Sequence, residues 1–183
     1  MPESARGELL VVDGYNVIHK SQRYMDLVDQ PSGRLGDTDP FDRARQLLIA
    51  DVAAYAQGRY EAVVVFDAAG NVSPERPNLT VAGVRTVFSP TGEDADSVIE
   101  RLVTEARHHV RAVTVITSDN TIRATVGGVP VTRVSSDVLI ADVGAIVEDV
   151  RAANEERNHQ HLTLEDRLDP KTRQRLDRLL GRL

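Results

Sequence analysis

The 183-residue sequence contains no cysteine, which excludes disulfide bonds, thiolate metal ligands and cysteine nucleophiles. It has no apolar run of about 18 residues, so it offers no candidate for a membrane-spanning helix. The segment MPESARGELL lacks the apolar stretch of a signal peptide, and we therefore expect a cytoplasmic protein with no membrane partner. The Gly-x-Ser-x-Gly, Gly-Lys-Ser/Thr and Gly-x-Gly-x-x-Gly motifs of common catalytic and nucleotide-binding sites are also missing.

Lysine is scarce as well. The net charge is −6, and lysine occurs only at Lys20 and Lys171. An acidic chain is unusual for a nucleic-acid-binding protein. The segment from Lys171 to Leu183, however, holds five cations against one anion, a local charge of +4. The acidic surplus therefore lies in the first 170 residues, and its function depends on whether those carboxylates converge.

Short apolar segments alternate with longer helical patterns along the chain. The apolar segments lack the in-out alternation of a half-exposed strand, which is typical of a parallel sheet covered on both faces. We therefore predict an α/β fold with a central, mainly parallel sheet of about five strands and helices on both faces. The predicted strands are residues 9–12, 61–68, 84–89, 112–120 and 129–136.

Helix starts are marked twice by an aspartate followed by proline, at Asp39-Pro40 and Asp169-Pro170. The first predicted helix ends at Gly58, and others cover residues 90–110, 137–155 and 171–183. Residues 21–38 and 71–79 are predicted loops, 121–128 a short helix or turn, 157–161 a polar linker and 162–168 a short strand. This pattern predicts a domain over residues 1–155 and a C-terminal extension over 156–183 that contains a basic amphipathic helix.

Carboxylates stand at the ends of the predicted strands. Asp13, Asp67 and Asp119 each follow apolar residues, and parallel strands present their carboxyl ends at one edge of the sheet. Glu93 and Asp96 stand three residues apart at a helix start, so they share a helix face. Carboxylates gathered at one edge repel each other, and a hard divalent cation, Mg²⁺ or Mn²⁺, relieves that repulsion. The pattern predicts a metal site that polarises a phosphoester and activates water.

Each acid also has a structural interpretation. Aspartate after a strand is common turn chemistry, and acids at a helix start complement the helix dipole. We assign that second role to Asp94. Gly14 is interpreted as a point of close backbone approach, and Asn16 as a ligand for a water or a phosphate. For any one acid the structural interpretation is the stronger, but three strand-end acids together with a helix-start pair favour the metal site over coincidence.

The segments VDGYN, FDA, E-x-A-D-x-x-I-E (Glu93–Glu100) and TSD, in this order, resemble the YacP-like NYN-domain family of PIN-like ribonucleases. The resemblance covers about residues 9–150, and LDPKTRQRLDRLLGRL resembles the tail helix of the family. It implies a PIN-like three-layer fold and a metal-dependent endoribonuclease acting on RNA. Some members act on mRNA at ribosomes, so the resemblance also implies the ribosome as a partner.

The resemblance assigns Asp13, Asp96 and Asp119 as the catalytic, metal-binding acids, with Glu93 and Asp67 completing the metal site. Asn16 matches the family's Asp-x-x-Asn pattern. The expected substrate-binding residues are Asn16, Arg123, Arg173, Arg175 and Arg178. The chain departs from the family at Arg123 (usually glutamine), Ala69 (usually histidine) and Asp137-Val138 (usually Arg-Glu).

Three functions follow from these observations. The first is a divalent-metal-dependent endoribonuclease whose last helix grips RNA through its arginines. That helix is equally consistent with solvated arginines and an inward row of leucines, Leu176, Leu179 and Leu180. The second is an RNA- or ribosome-binding protein that keeps the fold with weakened catalysis. The third is a metal-dependent phosphatase, although Tyr15 stands where haloacid-dehalogenase enzymes carry a second aspartate.

Overall fold

The computed structural model describes residues 7–29, 39–68, 79–109, 111–118, 131–166 and 170–179. The strands are β1 (Glu8–Asp13), β2 (Tyr60–Phe66), β3 (Leu79–Val81), β4 (Val84–Phe88), β5 (Val113–Ile116) and β6 (Val131–Val134). The helices are α1 (Gly14–Lys20), α2 (Gln22–Asp29), α3 (Asp42–Ala56), α4 (Ala95–His108), α5 (Ser136–Asp166) and α6 (Pro170–Leu179).

The strands form one sheet in the order β3-β4-β2-β1-β5-β6. All pairings between neighbours are parallel except that of β3 with β4. The predicted α/β fold with a mainly parallel sheet is therefore confirmed, with β3 as an additional strand. The β3–β4 hairpin turns at Ala82 and Gly83, which both have positive φ angles (51° and 81°), the backbone conformation of a two-residue hairpin loop.

Helices cover both faces of the sheet. On one face α4 packs Val98 and Ile99 onto Val11 and Val63. Side chains alternate along a strand, so Val64 and Phe66 point to the opposite face, where α1 and α3 contact β2. The central strands β1, β2 and β5 are thus buried on both sides, as their apolar sequence predicted, whereas β4 and β6 carry exposed residues.

Two predicted irregular segments are helical instead. Within the predicted loop 21–38, residues 22–29 form α2, which is held by a buried Tyr24 whose hydroxyl donates to Asp51 Oδ2 at 3.0 Å. The predicted linker 157–161 and most of the predicted strand 162–168 belong to α5, which continues to Asp166. No proline or glycine interrupts residues 145–166, so nothing in the backbone stops that helix. The predicted segment 121–128 lies outside the described residues, as does the predicted loop 71–79 except for Leu79, which begins β3.

Two compact units divide the chain. The first comprises Met1–Val143 and contains the sheet, and the second comprises Gly144–Leu183. The boundary predicted at residue 155 falls inside α5. Within the described residues, no helix combines the length and the apolar character needed to cross a membrane.

Candidate functional site

The carboxyl ends of the parallel strands share one edge, and polar residues stand at it. Asp13 is the last residue of β1, and Asp67 directly follows β2. Thr117 and Ser118 follow β5, next to β1, and Ser135 follows β6. The sheet topology therefore brings residues far apart in sequence to a common edge, which we call the carboxyl edge.

Asp13 is both the end of β1 and the N-cap of α1. Its Oδ1 accepts a hydrogen bond from the backbone N–H of Asn16 at 3.2 Å. Its Oδ2 accepts from Thr117 Oγ1 at 3.4 Å, which links it to β5. The structural role that the sequence left open is thus real. It does not exclude ligation, because an ionised carboxylate has about four acceptor positions.

Asn16 ties three elements together. Its Oδ1 accepts from the backbone N–H of Ser118 at 3.1 Å and from Ser136 Oγ at 2.7 Å. The oxygen therefore connects α1 to the ends of β5 and β6. The amide nitrogen of Asn16 makes no hydrogen bond to any residue that the structure describes. This nitrogen is therefore the atom available for the predicted contact with substrate.

Serine hydroxyls extend this network. Ser118 Oγ accepts from the backbone N–H of Ser136 at 3.2 Å and lies 3.3 Å from Ser135 Oγ. Ser135 Oγ donates to Asp137 Oδ2 at 3.0 Å. Sequence reasoning missed these serines, although both TSD and SSD stand at the ends of predicted strands. Their effect is to fix the backbone at Ser118, the residue before Asp119.

The start of α4 carries the other predicted acids. Asp94 Oδ1 accepts from the backbone N–H of Ser97 at 2.8 Å, and this hydrogen bonding with Ser97 lowers the pKa of Asp94. The role of Asp94 at the helix start is therefore confirmed. Glu93 Oε2 accepts from Arg101 Nη1 at 3.0 Å. Asp96 lies half-buried in the first turn, and since α4 follows β4, that turn lies at the carboxyl edge.

The acids share this edge without forming a complete ligand set among the described residues. In the described ranges, no three histidine, aspartate or glutamate side chains lie close enough to hold a metal ion. Asp119 and Arg123 lie outside the described residues. Carboxylate and hydroxyl oxygens are nevertheless the donors that Mg²⁺ and Mn²⁺ prefer, so the chemistry of the donor set fits such an ion.

A buried ion pair supports α1 from the side of α3. Arg45 is only 3% exposed and pairs with Asp39 and, at 3.2 Å, with Asp42, while its Nη1 donates to Tyr15 Oη at 3.0 Å. Burial by itself would lower the pKa of Arg45, but its bonds to Asp39 and Tyr15 outweigh that effect and raise it. Sequence reasoning missed Arg45, and the predicted cap at Asp39 is wrong, because α3 begins at Asp42.

The predicted RNA-binding arginines belong to the second unit. Arg175 and Arg178 lie exposed on α6, together with Lys171. The side chain of Arg173 lies outside the described part of that helix. These cations form an exposed basic helix surface.

Comparison with known proteins gives consistent matches. The model of the family described as "YacP-like NYN domain" matches residues 10–180. The uncharacterized protein YacP of Bacillus subtilis (strain 168) is 29% identical over 139 residues, 76% of each chain. The crystal structure of Rae1 (YacP) from Bacillus subtilis is similar with a TM-score of 0.62 and 28% identity, covering 87% of this chain and 88% of that one. A mutant form of Rae1 matches with a TM-score of 0.61 and 25% identity over 94% and 99% of the two chains.

Proposed function

The chain belongs to the YacP-like NYN domain family, and on that premise we propose that it is a divalent-metal-dependent endoribonuclease. NYN domains are generally nucleases, and YacP-like proteins are RNA-related. The observation that carries the proposal is the common position of Asp13, Asp67 and the Asp96 turn at the carboxyl edge. The reaction would be hydrolysis of an internal phosphodiester bond of RNA.

Asp13, Asp96 and Asp119 would hold the ion, with Glu93 and Asp67 beside them. When bound, Mg²⁺ or Mn²⁺ supplies Lewis-acid polarisation of the phosphate and a water of lowered pKa. Asp13 accepts hydrogen bonds from the Asn16 N–H and from Thr117, so its carboxylate is oriented before substrate arrives. Glu93 accepts from Arg101 through Oε2, and the carboxylate stays available to the ion because it has further acceptor positions and because that exposed pair is weak enough to open.

Asn16 is the residue best placed to orient the substrate. Two hydrogen bonds to its Oδ1 fix the side chain. The amide N–H₂ group is then left to donate to a non-bridging phosphate oxygen. A fixed donor at a phosphate stabilises developing charge without reorganisation during the reaction. Asn16 thus joins the scaffold to the proposed substrate site.

The test is cleavage of a pool of end-labelled RNAs with Mn²⁺, with Mg²⁺ and with EDTA. We expect internal cuts that need the metal and that disappear in Asp96→Asn and in Asp119→Asn. Asp94→Asn is the matched control, because it is the same substitution two residues away and asparagine also caps helices. Cuts that persist in EDTA or in Asp96→Asn contradict the proposal.

A second candidate is an RNA- or ribosome-binding protein with weakened catalysis. The observation that favours it is the engagement of Glu93 by Arg101, together with the sequence departures at Ala69 and Asp137-Val138. RNA binding that is unchanged by EDTA, without cuts in free RNA or on translating ribosomes, would support it. Cuts that occur only on ribosomes would instead support a ribosome-linked nuclease. Hydrolysis of a small chromogenic phosphoester without RNA cleavage would indicate a phosphatase.

A further inference from the structure

A cavity of about 440 Å³ lies between α3 and the β3–β4 hairpin. We call it the hairpin cavity. Its walls combine apolar and polar side chains, among them Arg45, Ile49, Phe66, Val81, Thr86 and Phe88. Its volume lies within the range of small-molecule sites, roughly 300–1,000 Å³. The cavity therefore has room for a planar ring and its substituents.

Thr86 is the unusual polar group in this wall. The residue is 5% exposed, and its buried Oγ1 has no hydrogen-bond partner among the residues that the structure describes. Thr86 pairs in register with Val64 and Leu79, so it points to the α3 face of the sheet, where the cavity lies. Buried hydroxyls are almost always hydrogen-bonded, and an unbonded one is costly. Thr86 therefore places an unbonded hydroxyl in the wall of the cavity.

Aromatic rings and a guanidinium line the same cavity as the Thr86 hydroxyl. The rings of Phe66 and Phe88 stack with their centroids 5.5 Å apart at 29°. The guanidinium of Arg45 lies 5.9 Å from the centroid of Phe88. Aromatic faces bind nucleobases without regard to sequence, because every base has a π face. The Thr86 hydroxyl in the same wall can add a hydrogen bond to the edge of the base.

The hairpin cavity adjoins the carboxyl edge. Phe66 and Phe88 are the last residues of β2 and β4. The ring of Phe66 also packs against Gly14, where an added Cβ would lie 2.2 Å from a ring carbon. Gly14 follows Asp13 directly, so the thickness of one ring separates the cavity from the backbone beside the proposed catalytic acid.

We propose that the hairpin cavity binds one nucleobase of the RNA, next to the bond that is cut. The base would lie against Phe88 and hydrogen-bond to Thr86 Oγ1 through its edge. This inference rests on the proposed function in taking RNA as the ligand and the carboxyl edge as the place of cleavage. It adds a base-binding subsite that the metal-ligand acids do not provide.

The direct test is a titration of the full chain with a short single-stranded RNA in EDTA, where cleavage cannot proceed. Methyl NMR signals of Ile49, Val81 and Thr86 are expected to shift, while those of Val98 and Ile99, beneath α4 on the opposite face, stay in place. RNA that saturates the protein without moving the cavity signals overturns the proposal, as does a failure to bind at all.

Variants separate recognition from folding. Thr86→Val removes the unbonded hydroxyl, so we expect an unchanged or higher melting temperature and RNA affinity reduced roughly two- to tenfold, the loss of one hydrogen bond. Thr80→Val is the matched control, because Thr80 is exposed on the same hairpin and pairs with Arg85. Equal affinities for Thr86→Val and the wild type overturn the proposal.

Blocking the cavity gives an independent check. Ala50 lies exposed at the cavity wall, and Ala50→Trp is expected to exclude the base and weaken RNA binding by at least the loss seen in Thr86→Val. Ala54→Trp, one turn further along α3, is expected to bind normally. If neither Thr86→Val nor Ala50→Trp alters metal-dependent cleavage, the nuclease proposal is supported and the subsite proposal is overturned. RNA binding in the cavity without any cleavage would support the subsite and remove the nuclease.

Discussion

The Cα of Gly14 lies against the ring of Phe66, and the close approach predicted there is confirmed. An added Cβ would meet three ring carbons at 2.2, 2.5 and 2.9 Å. Phe66 is fully buried and stacks on Phe88, so it has little room to move. Gly14→Ala is therefore expected to lower the free energy of unfolding by about 1–3 kcal/mol through overpacking. Urea unfolding measures this change.

Gly144→Ala is the control for that substitution. Gly144 lies inside α5, and nothing lies within 4 Å of the position that its Cβ would take. Alanine is favoured over glycine in a helix interior, so this variant should gain about 0.5–1 kcal/mol. Equal effects of the two substitutions would contradict the packing explanation at Gly14.

Asp39 is the buried partner of Arg45, and its removal leaves the guanidinium with only the more exposed Asp42 as a counter-charge. The side chains of Asp39 and Arg45 are 7% and 3% exposed. We expect Asp39→Ala to lower the free energy of unfolding by about 3–5 kcal/mol, the usual cost of breaking a buried pair from one side. The control, Glu155→Ala, breaks the exposed pair with Arg151. It should change the free energy of unfolding by no more than about 0.5 kcal/mol. A small loss in Asp39→Ala would mean that Asp42 and Tyr15 suffice to hold Arg45.

The ionisation of Tyr24 makes the free energy of unfolding depend on pH in the alkaline range. Its burial, and next the charge of Asp51, raise the pKa of its hydroxyl above the ordinary value of about 10. The folded state therefore keeps the proton after the unfolded state has lost it. The contribution is complete below about pH 10 and is lost as the pH rises toward the folded pKa.

Tyr24→Phe tests this titration. Below pH 10 the variant should be less stable by about 1 kcal/mol, because it lacks the hydrogen bond to Asp51. Above pH 10 the difference from the wild type should shrink, since only the wild type has this proton to lose. Urea unfolding from pH 9 to pH 11 measures both, with Tyr60→Phe as a control. A difference that stays constant with pH would contradict the assignment.

At the scale of elements, local pattern predicted the parallel strands and the longer helices, and it missed α1, α2 and β3. Runs such as residues 61–66 leave no alternative to a buried strand, and parallel pairing follows from their uniform character. Helix α1 and strand β3 contain too few residues for a periodic pattern. Each depends on contacts that are distant in sequence, such as the packing of Gly14 on Phe66.

The position of α1 depends on the hydrogen bonds that Asn16 accepts from Ser118, just after β5, and from Ser136, just after the end of β6. Asn16→Ala removes the acceptor of Ser118 N–H and of the buried Ser136 hydroxyl. We expect a loss of about 1–3 kcal/mol in the free energy of unfolding, measured by urea in EDTA so that metal ligation cannot contribute. Asn16→Asp keeps an oxygen at this position and should lose less.

A double-mutant cycle measures how much of that loss in the free energy of unfolding comes from the hydrogen bond between Asn16 and Ser136. Ser136→Ala should cost less in the Asn16→Ala background than in the wild type, because its partner is already absent. Additive losses would show that the two side chains stabilise the protein separately.

At the scale of the molecule, the sequence predicted which acids share the carboxyl edge better than it predicted the residues that support them. Parallel strands place Asp13 and Asp67 at one edge, so their neighbourhood follows from topology alone. The supporting residues could not be found in this way. Arg45 and Ser136 look like ordinary surface residues until folding buries them, and their partners lie on other elements. Whether Asp119 completes the metal site remains a prediction.

The basic helix α6 belongs to the same scale, because its proposed role concerns the charge of the whole chain. With a net charge of −6, RNA is repelled unless a local cationic surface offsets the rest. Arg175 and Arg178 lie exposed on α6. If each neutralises a phosphate, reversing both to glutamate should lower RNA affinity and reduce the slope of log affinity against log salt by about 1.4, at about 0.7 per contact on single strands.

The control for this reversal is Arg151→Glu, which makes the same charge change on the exposed surface of α5 in the same unit. Two such reversals are needed to match the net charge, so Arg157→Glu accompanies it. Binding measured by fluorescence anisotropy from low to high salt compares the pairs. A lower slope only in the α6 pair assigns phosphate contacts to that helix. Equal slopes in both pairs and the wild type would mean that the arginines of α6 are solvated and that RNA is held by the first unit alone.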